Sequence, residues 1–508
     1  MSGNTGSKDR RKKGGVAPAN GGWNDVANIP ITRRKAISSM GKAAVGAAAA
    51  VIVVGGAAYY LGASGSKTTT VTGTGTTSAS TSTNISSFST LQQLSLLVQS
   101  EPLENAELAI DAADMASAIG VSVSPTELNF TQMAPTLTAM TAGNNITYNV
   151  VSIAHDQAGP YVPYFRSLDD LIQKYNADLS VFTPALVNQL YKRDKTTGRF
   201  GTGNHLGIPY ISAPWGLQYN TKMFTDAGLV DSKGNPTLPN TWDNFVEYMT
   251  ELTKPPVYGL GASYSVWWNP AWMHVSYVST NGGHVLDPNT YEPLINDSTN
   301  VEALQFWADA VNVHKYAQPD ALTTDDATLE GLFNAGSCAS YIYWFTGTLP
   351  SANDPSQSNV AGYAAAAALP NGGTVPAGGW AHWMPQTETN PDASFAYMMY
   401  ESTNEVAAAL VSGDLSLVRT ASFSDPQLVA KYPYITEVGQ IAAKGYAEPS
   451  FDIQQGSQLW TIYLQGFQNV ISGSQSAQAA LDSVYDQWDA ILGPKGAGYY
   501  GSTTSSSS

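Results

Sequence analysis

An alternation of helical and strand patterns, beginning near position 106, restricts the fold of this chain more than any other feature. Residues 106–119 place their apolar side chains on one side of a helix, and 121–123 has the pattern of a strand. A looser helical pattern covers 132–141, and 146–153 is an apolar run of strand length. This alternation predicts an α/β architecture, in which helices cover sheets.

The strand predicted at 146–153 ends just before two polar residues, Asp156 and Gln157. Ligands of α/β sheets bind at the carboxyl ends of the strands, so these two side chains stand where a binding group is expected. The alternative is that Asp156 only caps the next turn of the chain.

A second informative stretch begins at Gly207 and combines a strand, a tight turn and two helices. The pattern predicts a short helix beginning near Thr221. A second helix is expected after Thr241, which can cap it ahead of Trp242 and Phe245.

The order of motifs in this stretch resembles a segment of the extracellular solute-binding proteins, which capture ligands for ABC importers. The matching residues are Pro209-Tyr210, Leu217-x-Tyr219-Asn220-x-x-x-Phe224-x-x-Ala227-Gly228-Leu229 and Pro239-x-Thr241-Trp242-x-x-Phe245. Further matches to the sugar-binding members are Trp344-Phe345-Thr346-Gly347-Thr348-Leu349, Asp354-Pro355-Ser356, Leu369-Pro370 and Gly378-Gly379-Trp380. The resemblance extends over roughly positions 105 to 490.

The resemblance implies a periplasmic-binding-protein-like fold, with two α/β lobes joined by a hinge. Lobe 1 is expected from 91–209 with 335–400, and lobe 2 from 210–334 with 401–492. Such a protein is implied to be a monomer without a cofactor, which closes on a sugar and presents it to the permease subunits of an ABC transporter.

Carried over position by position, the resemblance nominates ligand-binding residues from both lobes. They are Asp156, Gln157, Tyr210, Trp268, Trp344, Gly379, Trp380 and Arg419. For Arg419 the match is incomplete, because Leu417 stands where the family has proline, and an ion pair is the alternative role.

The sequence is rich in tryptophan, and Trp267 and Trp268 are adjacent in a segment that contains Pro270. Neighbouring side chains of an extended strand point to opposite faces, so both rings cannot enter one core there. Aromatic faces pack on the C–H face of a sugar ring, while planar polar side chains bind its hydroxyls. The cluster therefore predicts ligand contact, with core packing as the alternative for any single ring.

The chain carries few charges, and these are unevenly distributed. Only 13% of its residues are charged, against roughly 25% in an average protein. Nine Lys or Arg and two Asp precede position 43, giving +7, so the total of −16 leaves −23 for the remainder. The acidic remainder argues against nucleic-acid binding. Low charge is also compatible with an acidic habitat, or with simple drift in composition.

The N-terminal region indicates export from the cytoplasm. A basic tail, 1–42, precedes the apolar segment 43–63, which is long enough to span a bilayer as a helix. Three alternatives remain for this region: an uncleaved anchor, which we favour, a twin-arginine signal, or an archaeal pilin-like signal, the last typical of an archaeal member. The Ser/Thr/Gly-rich linker 64–90 is expected to act as a flexible stalk, and 493–508 as a disordered tail.

No motif indicates catalysis, a metal or a nucleotide. The six histidines are scattered, and the single cysteine, Cys338, rules out a disulfide within the chain. We therefore predict capture without chemistry, on a cell surface. The competing hypotheses are an extracellular carbohydrate-active enzyme, which needs two catalytic carboxylates, and a structural surface protein.

Overall fold

The computed structural model describes residues 49–54, 57–61, 87–143, 145–195 and 198–493. The chain divides into two units at Ser80/Thr81. The predicted basic tail 1–42, most of the linker 64–90 and nearly all of the tail 493–508 lie outside the described residues.

In the first unit, strands Ala49–Val54 and Ala57–Leu61 pair antiparallel. The helix expected over 43–63 is therefore not shown, since the described residues of this segment are extended. The β-branched run from Val51 to Val54 favours extended backbone, and it competes with the helix that an apolar segment of this length also permits. In the described part of the chain, no helix combines the length and hydropathy needed to cross a membrane.

In the described residues, the second unit contains two large sheets and a small one, in which the strands Lys192–Arg193 and Asn204–His205 pair antiparallel. The first sheet has five strands, in the order Val121–Leu128, Gln92–Gln99, Val150–Ala154, Gly379–Trp383 and Gly207–Ser212. Its first three strands are parallel, and Gly379–Trp383 runs antiparallel to both of its neighbours. The second sheet has four strands, in the order Tyr258–Gly261, Cys338–Trp344, Trp215–Asn220 and Ala364–Ala367.

The α-helices of the second unit pack around these sheets. Their bounds are Pro102–Ala118, Phe130–Ala142, His155–Ala158, Asp169–Tyr175, Thr221–Asp226, Trp242–Leu252, Trp268–Thr280, Ser298–Asn312, Asp326–Ala335, Thr348–Ala352, Pro391–Tyr400, Glu405–Ser412, Pro426–Lys431, Ile435–Ala443, Pro449–Asp452, Gly456–Ile471 and Ala477–Leu492. Each sheet has its own buried apolar cluster. We call the first sheet with its cluster lobe 1, and the second sheet with its cluster lobe 2.

The α/β class and the two-lobed fold are confirmed, but the predicted division between the lobes is wrong at several segments: Gly207–Ser212, expected to divide at 209/210, lies wholly in the first sheet. Strands Cys338–Trp344 and Ala364–Ala367 pair with Trp215–Asn220 in the second sheet. The assignment of the whole of 335–400 to lobe 1 is therefore wrong at these strands, and only Gly379–Trp383 lies in the first sheet. The pattern of a strand does not specify which sheet it joins, because that depends on partners distant in the sequence.

Local signals around position 240 predicted the structure well. Thr241 caps the helix Trp242–Leu252, its hydroxyl accepting a hydrogen bond from the backbone N–H of Asn244 at 3.1 Å. Trp242 and Phe245 lie on the buried face of that helix. Asn220 caps the helix Thr221–Asp226 in the same way.

Candidate functional site

The carboxyl ends of two parallel strands of lobe 1 meet at one edge of its sheet. Gln92–Gln99 leads to Glu101, and Val150–Ala154 leads to the short helix His155–Ala158. Burial raises the pKa of the Glu101 carboxyl to about 7, while a hydrogen bond from Gln99 opposes that rise. This edge therefore presents a carboxyl group that the sequence did not single out.

Asp156 and Gln157 lie on the short helix at this edge and are partly buried. The amide of Gln157 donates to the carbonyl oxygen of Phe130 at 3.0 Å. One carboxylate oxygen of Asp156 and the side-chain oxygen of Gln157 are buried without a hydrogen-bond partner among the described residues. Burial raises the pKa of Asp156. Buried polar atoms of this kind need partners, which a bound solute can supply.

Lobe 2 reaches this edge through the helix Pro449–Asp452. The Nδ1 atom of His155 and the carboxylate of Asp452 form a hydrogen bond, and their side chains are 6% and 1% exposed. Arg193 of lobe 1 donates from Nη1 to the backbone oxygen of Asp452 at 3.2 Å. We call this contact region between the lobes the seam.

The protonation of His155 depends on its partner across the seam. Burial alone lowers the pKa of the imidazole, but the charge of Asp452 and its hydrogen bond outweigh that effect, and the pKa is raised. The charged pair is thus the form that the closed seam favours.

Aromatic rings of lobe 2 line the seam. Trp272 stacks on Phe451, with ring centroids 5.0 Å apart and planes at 9°, and its ring meets His155 edge to face at 6.2 Å. Trp344 lies 5.4 Å from Trp272, and Trp215 lies 5.5 Å from it. We call these rings, together with Trp267 and Trp268, the aromatic wall.

Trp267 and Trp268 begin the helix Trp268–Thr280, and both are partly buried. The indole N–H of Trp268 donates to Oδ2 of Asp326 at 2.6 Å, and the hydroxyl of Ser263 donates to the other oxygen at 3.2 Å. Burial raises the pKa of Asp326, and these hydrogen bonds oppose that rise. A ligand ring that packs on a partly exposed indole can therefore donate hydrogen bonds from its hydroxyl groups to the neighbouring carboxyl group.

Gly378 and Gly379 approach their neighbours too closely for larger residues. A Cβ atom on Gly379 would lie 2.4 Å from the carbonyl oxygen of Ile211, so this glycine is required for strand packing. A Cβ on Gly378 would lie 3.0 Å from Trp272 of the other lobe. Trp380 pairs with Ala154 in the sheet and is partly exposed.

Two of the nominated residues lie elsewhere, inside lobe 1. Tyr210 is fully buried and stacks on His382 at 4.3 Å. Arg419 donates through Nε to the backbone oxygen of Ser402 at 2.9 Å, and its guanidinium lies over the ring of Phe182. The structure therefore brings Asp156 to the seam along with Trp267, Trp268 and Trp344, and it does not bring Tyr210 and Arg419 there.

Sequence reasoning missed three residues of the seam, His155, Phe451 and Asp452, and it also missed Asp326, the partner of Trp268 within lobe 2. The high aromatic content of the sequence indicated an aromatic surface for ligand contact, because the chain has more aromatic side chains than a core of its size requires. It did not identify these particular residues. No local motif surrounds Asp452, which approaches His155 only through the docking of distant segments.

Two lobes, each with its own sheet, and an aromatic wall with carboxyl groups where the lobes meet define a two-lobed binding protein. The sequence of residues 117–408 matches the bacterial extracellular solute-binding protein family. The match covers more than half of the chain, and the chain belongs to this family. This family consists of transport proteins and not of enzymes, and its members act outside the cytoplasm.

Several solved structures share the fold. An ABC transporter solute-binding protein from Agrobacterium radiobacter, in complex with ribitol, is 23% identical with a TM-score of 0.65; the match covers 78% of this chain and 98% of that one. Maltose-bound MalE3 of T. maritima is 17% identical with a TM-score of 0.63, covering 79% and 100%. The sugar-binding protein MalE of Xanthomonas citri is 16% identical with a TM-score of 0.65, covering 79% and 97%.

Proposed function

We propose that this protein captures a sugar or sugar alcohol between its lobes and delivers it unchanged to an ABC import permease. The observation that carries the proposal is the aromatic wall beside partly buried carboxyl groups, Asp156 on lobe 1 and Asp326 on lobe 2. Flat apolar rings pack on the C–H face of a sugar, and carboxylates accept hydrogen bonds from its hydroxyl groups.

Proteins of the same fold support this choice of solute. Solved structures similar to this chain hold ribitol, maltose, D-mannitol and α-D-tagatose. These ligands share many hydroxyl groups and carry no net charge. A charge-poor chain with abundant aromatic side chains suits such neutral solutes.

We propose further that the protein acts as a monomer held near the membrane. The basic stretch 1–42 and the uncharged segment 43–63 support retention by the N-terminal region. The Ser/Thr/Gly-rich linker 64–90 then keeps the lobes at a distance that lets them meet the permease. Cleavage of the same region as an export signal would release the protein instead, and fractionation of cells that express the full chain distinguishes the two.

A thermal-shift screen of the full chain with maltose, D-mannitol, ribitol and D-tagatose tests the proposal. We expect at least one of them to raise the melting temperature by several degrees at 1 mM, because a solute that binds only the folded state stabilises it. Replacement Trp268→Ala should abolish that rise, since it removes the ring and the donor to Asp326.

A matched control is Tyr363→Ala, which removes an aromatic side chain that is 44% exposed on lobe 2, outside the aromatic wall. This variant should retain the shift. Recovery of a cleaved sugar would favour the carbohydrate-active enzyme. A panel without any shift, extended to oligosaccharides, would argue against sugar capture.

A further inference from the structure

A buried hydrogen-bonded pair of side chains joins the lobes at the seam, His155 on lobe 1 and Asp452 on lobe 2. We propose that this pair is the closure latch of the protein, which holds the lobes together around the captured solute and loosens when His155 loses its proton. The inference rests on the proposed capture function, and it adds the residues that hold the closed state and their dependence on pH.

The two residues belong to separate packing units. His155 directly follows the strand Val150–Ala154 of lobe 1. Phe451, adjacent to Asp452, stacks on Trp272 and contacts Trp460, both in the apolar cluster of lobe 2. A motion that separates the lobes therefore breaks the pair, whereas a motion within one lobe does not.

The backbone around the pair is in close contact as well. A Cβ atom on Gly159 would lie 2.7 Å from the backbone oxygen of Asp452 and 2.8 Å from that of Ile453. Such tight packing excludes water from the pair, and exclusion of water strengthens the attraction between opposite charges.

The other ionisable groups that face the pair come from three elements. Asp156, next to His155, raises the pKa of the imidazole, and Arg193, from the strand Lys192–Arg193, lowers it. Tyr191 is buried near Asp452, and Glu448 precedes the helix that carries Asp452. The direct charge of Asp452 is the largest of the favourable effects on the His155 cation.

The sign of the pH effect follows from the raised pKa of His155. In the open form the imidazole returns toward its ordinary value, about 6.5. The latch is therefore complete below about pH 6.5, the ordinary pKa of the imidazole in the open form. It is lost as the pH rises through the raised pKa that His155 has in the closed form. Acidic conditions favour closure, and mildly alkaline conditions favour release.

A distance measurement between the lobes tests the latch without any sugar. Spin labels are attached to the full chain through Glu127→Cys on lobe 1 and Lys233→Cys on lobe 2, both exposed positions, while native Cys338 is buried. Pulsed electron paramagnetic resonance then gives the distance distribution at pH 5 and pH 8. We expect a single closed population at pH 5 and a second population with a changed distance at pH 8.

Variants separate the latch from general effects of pH. Asp452→Asn should populate the open distance already at pH 5, and His155→Gln should give a distribution that does not change with pH. His205→Gln is the matched control, because His205 pairs with Asp169 within lobe 1, at 2.8 Å. That variant should behave as the unmodified protein does.

Calorimetry with maltose and D-mannitol on the same proteins gives the second readout. Loss of one partner from a buried charge pair is expected to weaken binding at least thirtyfold, while the double variant adds little to either single change. Unchanged distances in Asp452→Asn and in the unmodified protein at pH 8 would overturn the latch. Absence of binding to both probes, with distances that change as expected, would count against the proposed solute and leave the latch supported.

Discussion

Raising the pH from about 5 to about 8 is expected to lower the free energy of unfolding by ~3 kcal/mol or more. The cause is a group of carboxyl side chains inside lobe 1, each at most 1% exposed: Glu104, Glu107, Asp111, Glu401 and Glu405. They lie between the helix Pro102–Ala118 and the segment that begins at Glu401. We call this group the buried acid cluster.

Burial raises the pKa values of four of these carboxyl groups, those of Glu104, Glu107, Asp111 and Glu405. The pKa of Glu405 rises to about 7 and that of Asp111 to about 9. The pKa values of Glu104 and Glu107 rise well above the ordinary range, with the charge of Glu401 adding to the effect of burial. Protonated carboxyls can also donate hydrogen bonds to one another, which ionised ones cannot.

The direction follows from comparison of the folded and unfolded chains. Unfolded carboxyl groups ionise near their ordinary pKa of about 4, whereas in the folded chain Glu104, Glu107, Asp111 and Glu405 hold their protons to higher pH. The contribution of these carboxyl groups to the free energy of unfolding is therefore complete in acid. It falls as the pH rises through the pKa values that they have in the folded chain. One pKa unit corresponds to about 1.4 kcal/mol, so Glu405 alone accounts for ~3 kcal/mol.

Urea unfolding followed by tryptophan fluorescence at pH 5, 6.5 and 8 measures this dependence. Glu107→Gln should flatten this pH dependence, and Glu292→Gln, at an exposed position of lobe 2, should leave it unchanged. His274 acts in the opposite sense, because burial lowers its pKa to about 4 and stability falls when it is forced to ionise in acid. Equal stability at pH 5 and pH 8 would contradict the role of the cluster.

Replacement Gly159→Ala is expected to block closure and to weaken solute binding by at least a hundredfold. The added Cβ would meet two backbone carbonyls, of Asp452 and Ile453, at 2.7 and 2.8 Å. Contacts this short do not occur in real structures, and backbone atoms of the opposite lobe can yield only if the lobes separate. Calorimetry with the sugar that gives the largest thermal shift measures the loss.

Gly331→Ala is the matched control for this glycine. Gly331 lies in the helix Asp326–Ala335, and no atom lies within 4 Å of the Cβ that would be added there. It should bind as the unmodified protein does and gain a little stability, because alanine favours helix. Tight binding by Gly159→Ala would show that the seam does not close as the structure describes.

Local sequence signals correctly predicted helices and helix caps, because these depend mainly on residues close together in the sequence. The Thr241 cap and the helix after it are confirmed, and the helix expected over 106–119 is observed as Pro102–Ala118. The sheet assignment of Cys338–Trp344 was wrong because strand pairing depends on residues far along the chain. The helix expected for the N-terminal apolar segment is not shown, because the β-branched residues there favour extended backbone while the length and hydropathy of the segment favour a helix.

The candidate site was only half predictable, for a similar reason. Trp268 and Trp344 stood out as aromatic residues beside turn motifs, and Asp156 as the end of a strand. Asp326 and Asp452 had no local signal, since their meaning comes from Trp268 and His155 across the fold.

Small-angle X-ray scattering of the full chain at pH 8, where part of the sugar-free protein is expected to be open, tests the central claim most directly when it is recorded with and without the sugar that gives the largest thermal shift. The account predicts that saturation with the sugar makes the particle more compact, and that mass spectrometry recovers the sugar intact. Binding without contraction would contradict capture between the lobes. A shortened sugar would contradict delivery without chemistry.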